Sequence, residues 1–269
     1  ASVFYLLSLL AKPTSLLLPF VLLLADVWPL RRAWSTQLIR EKIPFFALAR
    51  LCWEKAPLFL LAGVSCLITI VGHQDLGSLG DASHVPLPVR AANALVSYVR
   101  YLGKTLFPSN LSILYPYPPP WAGWIVALCT VLLIGISVLA IRALRTRPFL
   151  FVGWFWFLGV LVPFIGLIQA GEQAMADRYM YLPILGLLML GVWGLNSLLG
   201  TSPHKRRLLA AAAALAVLAC FLCSSLQLRH WRDSETLFRH AVQVTPRNYN
   251  AYDGLGSALA DLGRREEAL

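Results

Sequence analysis

The fold class is all-α: a polytopic bundle of transmembrane helices followed by the start of a helical-repeat solenoid. Composition, the length of the apolar runs and an abrupt change of character near residue 229 predict it. Of 269 residues, 58% are hydrophobic and 13% charged, against about half and about a quarter in a soluble domain. The hydrophobic residues gather in runs near the roughly 20 needed to cross hydrocarbon. From Arg229 onward the chain becomes polar and charged with helical patterning.

The apolar runs fall at 1–11, 14–30, 56–72, 121–141, 149–168, 183–199 and 208–226. These predict six full spans and a partial first. Pro19 and Pro163 lie within runs, which membrane helices tolerate when neighbouring helices satisfy the freed backbone groups. Residues 1–228 are thus one multi-span membrane domain, and 229–269 a separate repeat region. The chain opens on Ala1 inside an apolar run, without a charged leader, and its last residues fall within a repeat. More protein is expected at both ends.

The net charge of +10 does not indicate nucleic acid, because the basic residues form short clusters between apolar runs. Lys and Arg concentrate in loops 31–55, 142–148 and 200–207 and are sparse in the alternate loops. Positive loops stay cytoplasmic, so the tail after 226 is expected on the periplasmic or lumenal side of a bacterial inner membrane or endoplasmic reticulum. All five cysteines lie in or beside apolar runs, where thiols act as small hydrophobes. Cys220 and Cys223 lack the second pair or histidine cluster of a zinc site. No metal is expected, and no cofactor is evident.

The outer loop 73–120 is the longest between spans. Residues 89–107 carry apolar positions at helical spacing, which predicts an interfacial helix. The following run Tyr115-Pro116-Tyr117-Pro118-Pro119-Pro120-Trp121 predicts extended backbone with rings at headgroup level. Asn110-Leu111-Ser112 is a glycosylation sequon if the source cell modifies asparagine during secretion.

The tail fits a 34-residue tetratricopeptide register. With Pro246 closing one unit, Phe238 and Ala241 take its apolar packing positions. In the next unit Tyr252 takes the first aromatic position, Leu255-Gly256 the close-approach step and Ala268 the small-residue contact. Ser234 and Leu259 depart from the consensus. Such units stack to bury a continuous face and present a concave surface, so a protein partner is expected there.

Ionisable residues near the outer face are the candidates for chemistry, because charge at that depth is expensive. Glu172, Asp177, Arg178, Tyr179 and Tyr181 share one short outer loop just before Pro183, and Lys12 begins a span from the same side. Arg100 and Lys104 lie four apart on the interfacial helix, on one face, where they could hold an anionic group. Together these residues could cradle a phosphate. Each also has an ordinary role open to it: Lys12 reaching to headgroups, Asp177 with Arg178 anchoring a loop, Arg100 and Lys104 meeting anionic membrane lipid, His73 sitting in a loop. No Ser-His-Asp spacing, phosphate-cradling glycine loop or catalytic carboxylate pair is present.

Three segments carry a resemblance. They are Lys12-Pro13 opening a span that ends Asp26-Val27-Trp28-Pro29-Leu30; Val96-Ser97-Tyr98-Val99-Arg100-Tyr101-Leu102-Gly103-Lys104; and Ala176-Asp177-Arg178-Tyr179-Met180-Tyr181-Leu182-Pro183. They resemble the transmembrane and tetratricopeptide-repeat O-mannosyltransferases and their bacterial relatives, with Asp177, Arg178, Tyr181 and Pro183 the most specific part. The resemblance implies a glycosyltransferase fold of the C class and a polyprenyl-phosphate-linked sugar as donor. It implies a catalytic acid in a first external loop, expected before Ala1, and a protein hydroxyl acceptor presented by the repeats. Arg178, Lys12, Lys104 and Arg100 would then bind the donor phosphate, with Asp177, Tyr179, Tyr181 and Glu172 lining the substrate groove. The alternatives are a non-catalytic membrane-anchored repeat scaffold and a ligase or polymerase of lipid-linked glycans.

Overall fold

The computed structural model describes residues 2–11, 13–32, 44–75, 85–167, 173–199 and 203–268. Helices dominate it. In chain order they are α1 (Ser2–Ala11), α2 (Leu18–Val27), α3 (Pro44–Asp75), α4 (Leu87–Leu106), α5 (Gly123–Arg142), α6 (Pro148–Leu161), α7 (Pro183–Leu199), α8 (Pro203–Leu228), α9 (Ser234–Val244), α10 (Tyr249–Asp261) and α11 (Arg265–Ala268). Two short strands, β1 (Tyr115–Pro116) and β2 (Gln173–Met175), pair antiparallel.

Every expected apolar run contains a helix, and among the described residues three are long and apolar enough to cross a membrane: Ala49–Thr69, Gly123–Arg142 and Arg207–Trp231. The apolar helices at Ser15–Val27, Pro148–Phe164 and Pro183–Ser197 are shorter. Proline accounts for part of the shortening. Pro163 cannot donate to the preceding turn, and α6 gives way at Leu161 to a 3-10 turn over Val162–Phe164. Pro19 sits in the first turn of α2, where its missing N–H costs little. Pro57, by contrast, is tolerated inside α3.

The main core lies where α4, α5 and α6 meet the β1–β2 ribbon. Tyr98, Tyr101, Tyr115, Leu133, Trp154, Phe157, Leu161, Ile165 and Met175 pack there. α4 is therefore more than a surface anchor: it matches the expected amphipathic helix to within two residues, and it buries that face against protein. α6 and α7 pack with their backbones almost touching, because Gly153 and Gly186 face each other at the crossing. Trp28, just after α2, sets its ring edge-on to Trp193 at 4.9 Å and to Phe149 at 6.5 Å, tying α2 to this pair.

At the same end of α2, Asp26 is almost wholly buried and is paired with Lys55 and Arg32; Arg32 also bridges to Glu54 at 2.8 Å. Counted at the sequence level as a cytoplasmic loop charge, Lys55 is instead a buried residue of α3.

The long apolar helix α8 ends at Leu228, and a 3-10 turn over Arg229–Trp231 leads into α9. α9 and α10 form a packed helical hairpin. Asp233 and Asn248 cap their N-termini by accepting from Thr236 N–H at 2.7 Å and Ala251 N–H at 3.2 Å. Phe238 lies over Gly254, and Ala241, Ala251 and Ala258 are buried between the helices. A Cβ on Gly256 would approach the Ala268 carbonyl to 3.1 Å, so the Leu-Gly step does sit at a close approach. The described chain contains this hairpin and the short α11, not a stacked solenoid.

Candidate functional site

The site is built on the buried face of α4. Arg90, Asn93, Ser97, Arg100 and Lys104 recur at spacings of three and four and so form one polar stripe down this helix. The extended 115–121 segment and the 173–177 segment cover it. Asn93 donates to the Ala174 carbonyl at 3.4 Å and accepts from Trp121 Nε1 at 3.3 Å. Tyr101, adjacent to the stripe, is 1% exposed; its hydroxyl donates to the Ala176 carbonyl and accepts the Ala176 N–H, both at 3.0 Å. The residue just before Asp177 is thus fixed to α4 through both of its backbone polar groups.

Asp177 turns back toward the outer loop. Its carboxylate accepts from the Tyr115 hydroxyl at 2.9 Å and from the Ser112 N–H at 3.1 Å. Arg178 reaches the Ile113 carbonyl at 3.5 Å, with its guanidinium 5.3 Å from the centre of the Tyr179 ring. Tyr179 stacks on Phe164 at 5.2 Å and accepts from Gln173 Nε2 at 2.7 Å. Tyr181 points away from this cluster and is 79% exposed.

Arg100 and Lys104 approach from the helix side. Arg100 lies over the rings of Tyr115 and Trp121, 5.6 and 5.9 Å from their centres. Among the described residues its guanidinium has no hydrogen-bond acceptor. Lys104 donates to the Ser109 and Asn110 carbonyls at 3.2 and 2.9 Å and lies 4.8 Å from the centre of the Tyr115 ring. Among the described residues, Arg90 Nε and Ser97 Oγ on the stripe and the Tyr117 hydroxyl on the covering segment are buried without a partner. Such groups are normally satisfied in a finished site.

Partial burial sets the electrostatics. It raises the Asp177 carboxyl above its ordinary range, opposed by the Tyr115 hydrogen bond and by Lys104. It lowers Arg100 and Lys104, opposed by attraction to Tyr115 and Asp177 for Arg100 and to Asp177 for Lys104. Among the described residues Arg100 and Lys104 both act on the Asp177 carboxylate, and Arg178 follows it in the chain, an excess of positive charge that would favour an added anion. Lys12 and Glu172 lie outside the described residues.

The sequence reading therefore picked out Asp177, Arg178, Tyr179, Arg100 and Lys104, which the fold brings together, and Tyr181, which it does not. It missed Ser112, Tyr115, Asn93 and Tyr101. Tyr115 was expected at headgroup level; it is 4% exposed because its ring covers Arg100 and Lys104 while its hydroxyl holds Asp177. The polar stripe was the available signal for Asn93. Ser112 stood out only as the last residue of the Asn110-Leu111-Ser112 sequon, which carries no sign of its backbone bond to Asp177.

One prediction concerns this carboxylate. Asp177→Ala removes the carboxylate acceptor and leaves the Tyr115 hydroxyl only the Asn110 carbonyl at 3.2 Å and the Ser112 N–H only the Tyr115 oxygen at 2.9 Å, and should destabilise the protein by about 1 kcal/mol. Asp177→Asn keeps an acceptor and should cost less. Because burial raises the folded-state pKa of Asp177, its ionisation opposes folding: its contribution is fully present below the unfolded carboxylate pKa and lost as pH rises through the folded value. The Asn variant should therefore lose that pH dependence. Unfolding titrations of the three proteins in detergent from acidic to neutral pH measure both effects.

Comparison with curated proteins gives relatives of one kind. The chain is 34% identical over 93 residues to protein O-mannosyl-transferase Tmtc2 of Drosophila melanogaster, covering 35% of this chain and 10% of that protein. It is 36% identical over 96 residues to protein O-mannosyl-transferase TMTC4 of Homo sapiens, covering 35% of this chain and 13% of the relative. It is 30% identical over 115 residues to protein O-mannosyl-transferase Tmtc3 of Drosophila melanogaster, covering 42% and 12%. The resemblance read from the sequence motifs is borne out by these relatives over about a third of the chain, and the matched stretch is about a tenth of each relative's length. No family model matches the chain, and no solved structure does.

Proposed function

We propose that the chain is the membrane part of a glycosyltransferase that moves a sugar from a polyprenyl-phosphate donor to a protein hydroxyl on the periplasmic or lumenal face. The observation that carries this reading is Arg100 and Lys104 set against the Asp177 carboxylate, with Arg178 next to it in the chain, on segments that resemble the O-mannosyltransferases. That the relatives are O-mannosyl-transferases supports the reaction class. The donor is the chemistry that an amphipathic site beside apolar helices suits, with an anionic head for the cations and a hydrocarbon tail for the lipid.

In the transfer, the acceptor oxygen bonds the anomeric carbon. The bond from that carbon to the phosphate oxygen breaks, its electron pair stays on the phosphate, and the hydroxyl proton goes to a base. Negative charge grows on the departing phosphate, and fixed cations already oriented there stabilise the transition state more than the ground state. Two of the three keep donors for a phosphate: Arg178, whose hydrogen bond to the Ile113 carbonyl is long at 3.5 Å, and Arg100, whose guanidinium lies over the Tyr115 and Trp121 rings. The helical hairpin of α9 and α10 would present the acceptor protein.

The test is transfer of labelled sugar from a polyprenyl-phosphate donor to a protein acceptor by the full-length protein in lipid, with Arg178→Ala beside wild type. The variant should lose about 100-fold in kcat/KM, the scale seen when one charge-stabilising donor is removed, while staying folded. Absence of transfer from every polyprenyl donor would overturn the reading in favour of a repeat scaffold anchored by its helices.

A further inference from the structure

The strip 111–114 lies between the helical hairpin and the proposed phosphate site, and its backbone groups are divided between the two. On one side His240 Nε2 lies 3.1 Å from the Leu111 carbonyl, and Asn248 Nδ2 donates to the Leu114 carbonyl at 3.2 Å. On the other, the Ser112 N–H is donated to Asp177 and the Ile113 carbonyl accepts from Arg178. The outer two of these four consecutive residues are thus held by the hairpin and the inner two by the site.

Both hairpin residues are built into place. Asn248 is fully buried, caps α10 through its side-chain oxygen, and donates to Thr245 Oγ1 at 2.9 Å. His240 stacks on His230 with ring centres 3.7 Å apart. A carbonyl can only accept, so Nε2 carries the hydrogen. The strip has no charged side chain of its own; besides the Ser112 N–H donating to the Tyr115 hydroxyl at 2.9 Å and Ser112 Oγ donating to the Leu114 carbonyl at 3.0 Å, its polar anchors among the described residues are these backbone bonds.

We propose that His240 and Asn248 are positioning residues: by holding the 111–114 strip from the hairpin side, they set Asp177 and Arg178 in the phosphate site. Displacement of the hairpin, as when a protein is bound there, is then transmitted to the site through four residues. The functional consequence rests on the donor-phosphate reading of Arg178; the mechanical link does not.

The experiment uses the full-length protein in lipid and separates the two. His240→Phe keeps the ring stack and removes the donor, whereas His240→Gln restores a donor without the stack. Asn248→Asp keeps the cap and replaces the donor with an acceptor facing the Leu114 carbonyl. In the His240→Phe, Asn248→Asp protein, hydrogen exchange at the Ser112 amide should quicken by about tenfold or more, while the interiors of α9 and α10 stay protected. Sugar transfer should fall in parallel, and the His240→Gln protein should stay near wild type in both. Unchanged Ser112 exchange in the double variant, with the hairpin folded, would overturn the proposal. If wild type transfers no sugar, the donor reading fails while the exchange measurement still decides the link.

Discussion

Gly186→Val should yield little or no stably folded protein. A Cβ at Gly186 would meet the Gly153 carbonyl and lie 2.9 Å from the Phe157 backbone nitrogen, and one at Gly153 would lie 2.6 Å from the Gly186 carbonyl. The obstructing atoms are backbone, so no side-chain rotation relieves the clash and α6 and α7 must separate. Phe157, Val160 and Leu161 are essentially inaccessible, so the separation opens the core beside the β1–β2 ribbon. A loss of about 3 kcal/mol or more is expected. Denaturant titration in micelles measures it, with Gly191→Val as control: that glycine faces open space, and its substitution should change stability by no more than about 0.5 kcal/mol.

Lys55→Met should be nearly as damaging, for an electrostatic reason. Among the described residues it leaves the almost inaccessible Asp26 carboxylate with one partner, Arg32, at 3.0 Å, whose own side chain is half-exposed and shared with Glu54. Breaking a buried pair from one side costs about 3 kcal/mol, because the remaining charge is desolvated and undercompensated. Adding Asp26→Asn to Lys55→Met should recover much of the loss. A double-mutant cycle of unfolding free energies would show strong non-additivity if the pair is coupled in this way. Additive losses would mean that Arg32 alone satisfies Asp26.

The contrast between these sites explains what could be read in advance. α4 was legible because its apolar positions repeat within the helix itself, and Arg100 and Lys104 could be set on one face by counting. Asp177 and Arg178 stood out as charges in a short loop between apolar runs. Their partners did not stand out: Ser112 and Tyr115 lie more than sixty residues away, at positions that the β1–β2 pairing selects. Lys55 illustrates the same limit. Loop counts weigh charge by sequence position, whereas its burial follows from how α3 packs against α2. The short α6 was legible in principle from Pro163, but membrane helices so often absorb proline that the residue alone did not predict where the helix would end.

The setting of Arg100 has a consequence for ionic strength. Its guanidinium is flanked by the Tyr115 and Trp121 rings and sits in a partly desolvated space that counter-ions enter poorly. Mobile salt screens exposed charges over about 10 Å at ordinary concentrations but acts far less on charges held away from bulk water. Attraction between exposed basic residues such as Arg142, Arg145 and Arg147 and an anionic surface would fade as salt rises, whereas the field of Arg100 would persist. The protein thus carries two kinds of positive charge, one tuned by its medium and one fixed by its fold.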